Sequence, residues 1–178
     1  MDSKVSVWKA NLNSGVIIGL LGIVFTLLIY FLDLSLETWV AFIWIPIYIV
    51  ALFLGIKAYR DNYLKGFITY GQSMGAGVII VLYYAIISAV FAYILYSFID
   101  PGLIDKMLAV AEQRIIDRGL PESAVEQAMN MQSKIMKPWI MSLSSIFNSM
   151  LMGTVLVLII SIFTRKEGNP LIDESIEE

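Results

Sequence analysis

The sequence predicts an all-α integral membrane protein with four transmembrane helices and an extracytoplasmic helical hairpin between the third and the fourth. The prediction rests on four stretches without Asp, Glu, Lys or Arg, at residues 15–32, 39–56, 71–99 and 139–164. Each has the roughly 18 residues needed to cross about 30 Å of hydrocarbon at about 1.5 Å per residue. Only 15% of the chain is charged, against about 25% in soluble domains. We therefore expect residues 1–178 to form a single membrane domain.

Composition also limits the chemistry available to the chain. It contains no His and no Cys, which excludes disulfides, thiolate nucleophiles and sulfur metal sites and removes the commonest general base. We accordingly expect no enzymatic activity, cofactor or metal. The net charge of −3 comes largely from the acidic tail at residues 165–178, and no basic stripe indicates nucleic acid as a partner.

The distribution of basic residues predicts how the four helices are oriented. The first connection, residues 33–38, carries Asp33 and Glu37 and no basic residue, whereas the second, residues 57–65, carries three. Basic residues also precede the first helix and follow the last, so they alternate sides as the positive-inside rule requires. We expect both termini to be cytoplasmic, and the first helix is too long for the core of a signal peptide.

The segment from residue 100 to 138 is predicted to be helical and to lie outside the membrane. Asp100-Pro101 is typical of an N-cap with proline at the first helical position, and Gly119 offers a stop before a second helix that starts near Pro121. Apolar residues recur at helical spacing in both halves. Two arrangements remain open, a hairpin that buries its apolar faces and a two-helix stalk that extends the third and fourth membrane helices.

Small residues mark the predicted contacts between membrane helices. Without a hydrophobic drive between helices in lipid, close backbone approach and hydrogen bonds must hold them together. This packing is expected within one chain or between copies of it. Alternatively, Asn148 and the neighbouring serines could line a polar path. The predicted packing residues are Gly15, Gly19 and Gly22 on the first helix, Gly71 and Gly75 on the third, and Ser145, Ser149 and Gly153 on the fourth.

The densest group of polar residues follows the second membrane stretch. Basic residues interleaved with tyrosines at the inner leaflet suit anionic lipid headgroups, and the alternative is an ordinary positive-inside loop with an Arg60–Asp61 pair. The candidate lipid or partner contacts are Lys57, Tyr59, Arg60, Asp61, Tyr63 and Lys65.

This region also resembles a known family. Residues 55–61 (GIKAYRD) and 66–72 (GFITYGQ), followed by Gly75, are similar to the central motif of the bacterial membrane family called domain of unknown function 4199. Tyr70 and Lys57 depart mildly from the expected phenylalanine and arginine. The resemblance implies an integral inner-membrane protein of Gram-negative bacteria without an established activity.

Two functions follow as hypotheses. The first is a non-enzymatic scaffold or partner-binding subunit that associates with itself or with another membrane protein. The alternative is a lipid-handling or transport accessory to a membrane glycosyltransferase, with membrane lipid as its ligand, which rests on size and topology alone.

Overall fold

The computed structural model describes residues 6–167, which form six α-helices and no strand. Four helices are long and apolar enough to cross a membrane, so the chain has the architecture of a multi-pass membrane protein. The helices are α1 (Val7–Phe31), α2 (Val40–Tyr63), α3 (Tyr70–Ile94, continued by a π-helical turn at Leu95–Ile99), α4 (Leu103–Ile116), α5 (Glu122–Ile135) and α6 (Pro138–Thr164).

Helix α3 is the centre of the bundle and packs most extensively against α6 and α1. It runs antiparallel to α6, because Gly77 lies against Val157 and Gly153 lies against Val81. The core is narrow and consists of fully buried aliphatic side chains such as Leu52 and Ile80. Large apolar side chains elsewhere point outward, which is the arrangement expected when lipid surrounds the bundle.

The bundle has two distinct ends. The hairpin end carries α4, α5 and the α1–α2 connection, and the opposite end carries the α2–α3 turn. Beside that turn, Ile68 pairs through both backbone groups with Lys166, just beyond α6, at 2.8 and 2.9 Å. Thr69 and Gln72 then form a reciprocal capping box that starts α3. These bonds fix the entry to α3 and the exit from α6 side by side.

Two membrane helices are longer than the uncharged stretches that predicted them. Helix α1 begins at Val7 rather than residue 15, and α2 continues to Tyr63 rather than ending at residue 56. Isolated charged residues do not end a backbone helix, and long basic side chains reach the headgroup region from its last turns. Part of the predicted second connection is therefore helical.

The hairpin consists of two helices that pack against each other. Non-helical residues 100–102 and 136–137 separate it from α3 and α6, so it does not continue those helices as a stalk. The predicted N-cap at Asp100 was wrong, because α4 starts after Gly102. The Asp100 carboxylate instead accepts hydrogen bonds from Tyr30 at 3.5 Å and Lys106 at 3.4 Å.

Candidate functional site

The residues predicted to contact lipid or a partner lie on the last two turns of α2 rather than in a loop. Lys57, Tyr59, Arg60, Asp61 and Tyr63 are helical. Lys65, the sixth predicted contact, is in the turn, with a φ of 51°. Their environments differ, because Tyr59 is buried and Arg60 is mostly covered, whereas the other four are exposed.

The Arg60 side chain is already bonded within the molecule. Its Nε donates to Asp61 Oδ1 at 2.7 Å, and its Nη1 donates to the Thr164 carbonyl at 3.4 Å. The last carbonyls of a helix lack intrahelical partners, and an arginine is a favourable donor to them. Arg60 therefore ties α2 to the end of α6. The Arg60–Asp61 pair that the sequence offered as the alternative is present. Of the other predicted contacts, Lys57, Tyr63 and Lys65 are exposed, and their binding to lipid or a partner stays a prediction.

A buried hydroxyl cluster lies between α3 and α6 at the same end. Ser73 Oγ donates to Ser161 Oγ at 3.1 Å and lies 2.6 Å from Thr164 Oγ1, and all three side chains are fully buried. Hydroxyl pairs across helices are a common means of association in membranes. Sequence reasoning missed this cluster, although Ser161 and Thr164 have the i, i+3 spacing of one helix face.

A partly open cavity of about 440 Å³ lies at the hairpin end. Its walls come from α1, α2, α3, the π-helical turn, α4 and α6. Aliphatic and aromatic side chains predominate, with a few hydroxyls among them. The lining includes Gly22, Thr26, Val40, Trp44, Tyr84, Ser88, Phe91, Tyr96, Leu103, Met107, Ser145 and Ser149.

Four aromatic rings form a cluster beside the cavity. Trp44 lies 4.9 Å from Phe25, 5.9 Å from Tyr48 and 6.3 Å from Tyr84, measured between ring centroids. Tyr48 and Tyr84 are 4.7 Å apart. Phe25, Trp44 and Tyr84 line the cavity, so the cluster supplies part of its aromatic wall.

The hairpin and the α1–α2 connection form the outer rim of the cavity. Leu103 and Met107 of α4 contribute apolar surface, and Glu37 contributes the only carboxylate of the lining. Arg114 Nη2 donates to the Leu36 carbonyl at 3.5 Å, which holds α4 against the connection. The rim thus combines apolar surface from α4 with the carboxylate of Glu37.

The predicted packing residues divide into three groups. Gly15, Gly19 and Gly22 face α3, where an added Cβ would collide with Tyr83 or Ile87 or touch Tyr84. Gly153 lies against Val81, and Gly77, which the sequence did not single out, meets Val157 at 2.5 Å from an ideal Cβ. Ser145 and Ser149 line the cavity rather than contacting a helix.

Gly71 and Gly75 do not pack against another helix of the same chain, and their contact with a second copy stays a prediction. Neither has a neighbour within 4 Å of an added Cβ, so this GxxxG pair forms no helix contact inside the chain. The capping box at Thr69 turns the first turn of α3 so that its buried positions are Ser73, Ala76 and Gly77. A glycine spacing alone does not say which side of a helix is buried.

Comparison with known proteins identifies a family but no function. A family model described as a protein of unknown function (DUF4199) matches residues 13–166. This range contains every residue that lines the cavity. No curated protein and no solved structure matches the chain. In the described residues, no three acidic side chains lie close enough together to hold a metal ion.

Proposed function

The chain belongs to the DUF4199 family of proteins of unknown function, and from this premise we propose that it is a non-enzymatic membrane protein that binds a lipid. The ligand occupies the cavity at the hairpin end. The observation that carries the proposal is a space of about 440 Å³ among membrane-spanning helices. Ligand pockets in proteins have about 300–1,000 Å³, so the volume suits part of a lipid molecule.

The chemistry of the lining favours a hydrocarbon chain inside the cavity. Apolar wall surface comes from Phe91, Leu95 and Met107, and hydroxyls from Thr26, Tyr84, Ser88, Tyr96, Ser145 and Ser149 lie among them. Lipid chains surround the protein at high concentration. A chain that lies along the apolar part of the wall fills space that would otherwise forfeit dispersion contacts.

The rim determines the kind of headgroup that fits. Ser35 and Glu37 of the α1–α2 connection line the outer part of the cavity. A carboxylate accepts hydrogen bonds and repels anions. The geometry therefore suits a lipid whose head presents hydroxyl or ammonium donors to Glu37. Ethanolamine phospholipids, which carry an ammonium group, and isoprenoid-linked sugars, which carry hydroxyls, both present such donors beyond their phosphates. The mass of the bound molecule distinguishes them.

Of the two hypotheses drawn from the sequence, the cavity supports lipid handling. A glycosyltransferase is one class of enzyme that uses such lipids, and it remains in the proposal only in that sense.

We also propose that the protein resides in a bacterial inner membrane with both termini in the cytoplasm. The support is charge: Lys9, Lys57, Lys65, Arg165 and Lys166 lie toward the α2–α3 end.

Filling the cavity tests the proposal, and the chain offers a matched control. Ser145 lines the cavity, whereas Val24 on α1 is 54% exposed and does not line it. Ser145→Phe adds a ring inside the cavity and Val24→Phe places a ring outside it. Native mass spectrometry after purification in mild detergent is expected to show one lipid on the wild type and on Val24→Phe, and none on Ser145→Phe.

Equal lipid retention by all three proteins would contradict the proposal. The circular dichroism and melting temperature of Ser145→Phe need to match those of the wild type for the comparison to count. Should that variant fail to fold, Ser149→Leu supplies a smaller filling at the next turn of the same cavity wall.

A further inference from the structure

Asn148 is a polar side chain that faces away from the bundle. It belongs to α6, between Phe147, which is 74% exposed, and Leu151, which is 57% exposed. The buried positions of this helix, including Ser142, Gly153 and Val157, lie on the opposite side. Among the described residues, no group hydrogen-bonds to its amide.

Asn148 also lies deep in the membrane. It follows Trp139, an interfacial residue type, by nine residues, which is about 14 Å along a helix. Since the hydrocarbon layer is about 30 Å thick, the amide sits near its centre. An amide transferred to hydrocarbon without a hydrogen-bond partner is strongly unfavourable, so the position calls for a partner outside the chain.

Two other polar side chains on the membrane helices donate to the backbone of their own helix. Asn11 donates to the Val7 carbonyl at 2.8 Å, and Ser145 donates to the Ser142 carbonyl at 2.7 Å. Asn13 is exposed like Asn148, but it is one turn from Lys9 and so lies close to the headgroup region. Asn148 has neither a local bond nor a nearby interface.

We propose that Asn148 pairs with Asn148 of a second copy of this chain, and that the outer side of α6 is a homodimer interface. Two copies inserted with the same orientation are related by a two-fold axis along the membrane normal, so each residue meets its counterpart at the same depth. A primary amide is both donor and acceptor and can form two N–H···O bonds with its own copy. An unrelated partner would have to supply such a group at that depth by coincidence.

The surroundings of Asn148 fit a helix–helix contact. Ser144 lies one turn before it and Val155 two turns after it on the same side of α6, and both are exposed. Ser144 is small enough to let the two helices approach beside the amide, and the exposed Leu151 and Met152 supply apolar contact surface on the same side. Ser145 and Ser149, which line the lipid cavity, are on the adjoining side, so the dimer leaves the cavity open. This inference does not depend on the proposed function.

Single-cysteine crosslinking in membranes tests the interface directly, because the natural chain has no cysteine. Ser144→Cys and Val155→Cys are expected to give a disulfide-linked species of twice the monomer mass on oxidation. Ile17→Cys on α1, which is 56% exposed, is the control and is expected to stay monomeric. Absence of crosslinks at both α6 positions, or adducts of another mass, would overturn the proposal.

Substitution of the amide gives a second, quantitative test. Asn148→Leu is expected to weaken dimerisation about 5- to 30-fold in a detergent dilution series, and Asn148→Gln, which keeps the amide, is expected to retain most of it. Because position 148 is exposed, the leucine variant is expected to keep the melting temperature of the monomer. Equal dimer affinity in all three proteins would overturn the role of the amide.

Discussion

At the scale of single residues, glycines set the distance between helices, because they have no side chain to keep the backbones apart. Gly77 faces Val157 and Ile56 from two different helices, and Gly153 faces Val81 and the Tyr48 hydroxyl. In lipid, such close contacts provide the dispersion attraction that holds a bundle together. Gly71 and Gly75, which form the more conspicuous sequence motif, contribute nothing to it inside the chain.

Alanine substitution distinguishes the glycines that contact another helix from the two that only have the GxxxG spacing. Gly77→Ala and Gly153→Ala are each expected to destabilise the protein by about 1–3 kcal/mol, because a Cβ would lie 2.5 Å from a valine methyl group. Gly71→Ala and Gly75→Ala are expected to be neutral or slightly stabilising, since alanine favours the helix. Thermal unfolding in detergent measures all four, and equal melting temperatures would contradict the packing described for α3 and α6.

At the scale of secondary structure, the sequence could predict every membrane helix but not which side of each is buried. The four uncharged stretches, the helical segment and its break at Gly119 all correspond to observed elements. Asp100 was assigned as a cap because of the following proline, yet its carboxylate bonds to Tyr30, a residue seventy positions away. Contacts between residues so far apart in the chain cannot be predicted from the local sequence.

The start of α3 depends on its capping box. Gln72 N–H donates to Thr69 Oγ1 at 3.3 Å, and Thr69 N–H donates to Gln72 Oε1 at 3.0 Å. Thr69→Ala is expected to lower the free energy of unfolding by about 0.5–2 kcal/mol. Ser6, the N-cap of α1, makes no such side-chain bond, so Ser6→Ala is the control. If both substitutions had the same effect in thermal unfolding, the capping role of Thr69 would be refuted.

At the scale of the whole molecule, the cavity results from the way six elements meet at the hairpin end. No single stretch of sequence encodes it, because its walls combine Thr26, Trp44, Tyr96, Met107 and Ser149 from different helices. The lining serines were expected to pack against a helix, since small residues usually do. In the predicted basic surface, the Arg60–Asp61 pair was foreseen from the sequence. The bond from Arg60 to the Thr164 carbonyl and the burial of Tyr59 were not, because they depend on residues far apart in the chain.

The orientation of the molecule is predicted from its charges. Cysteines introduced at Leu36 and Ser123 at the hairpin end are expected to react with a membrane-impermeant maleimide in cells with a permeabilised outer membrane, and one at Asn62 is not. The connection at residues 33–38 carries no basic residue, whereas residues 57–65 carry three, and the positive-inside rule places the second of these in the cytoplasm. Labelling at Asn62 alone would reverse the orientation and place the hairpin in the cytoplasm.

Occupation of the cavity by a lipid chain is the central claim, and photolabelling tests it most directly. A phospholipid with a diazirine near the end of one acyl chain is activated in membranes that contain the protein, and mass spectrometry locates the adducts. Adducts are expected on lining residues such as Phe91, Ala92 and Met107, and Ser145→Phe is expected to abolish them. Labelling confined to outward residues such as Phe42 and Phe147, unchanged by Ser145→Phe, would contradict the claim.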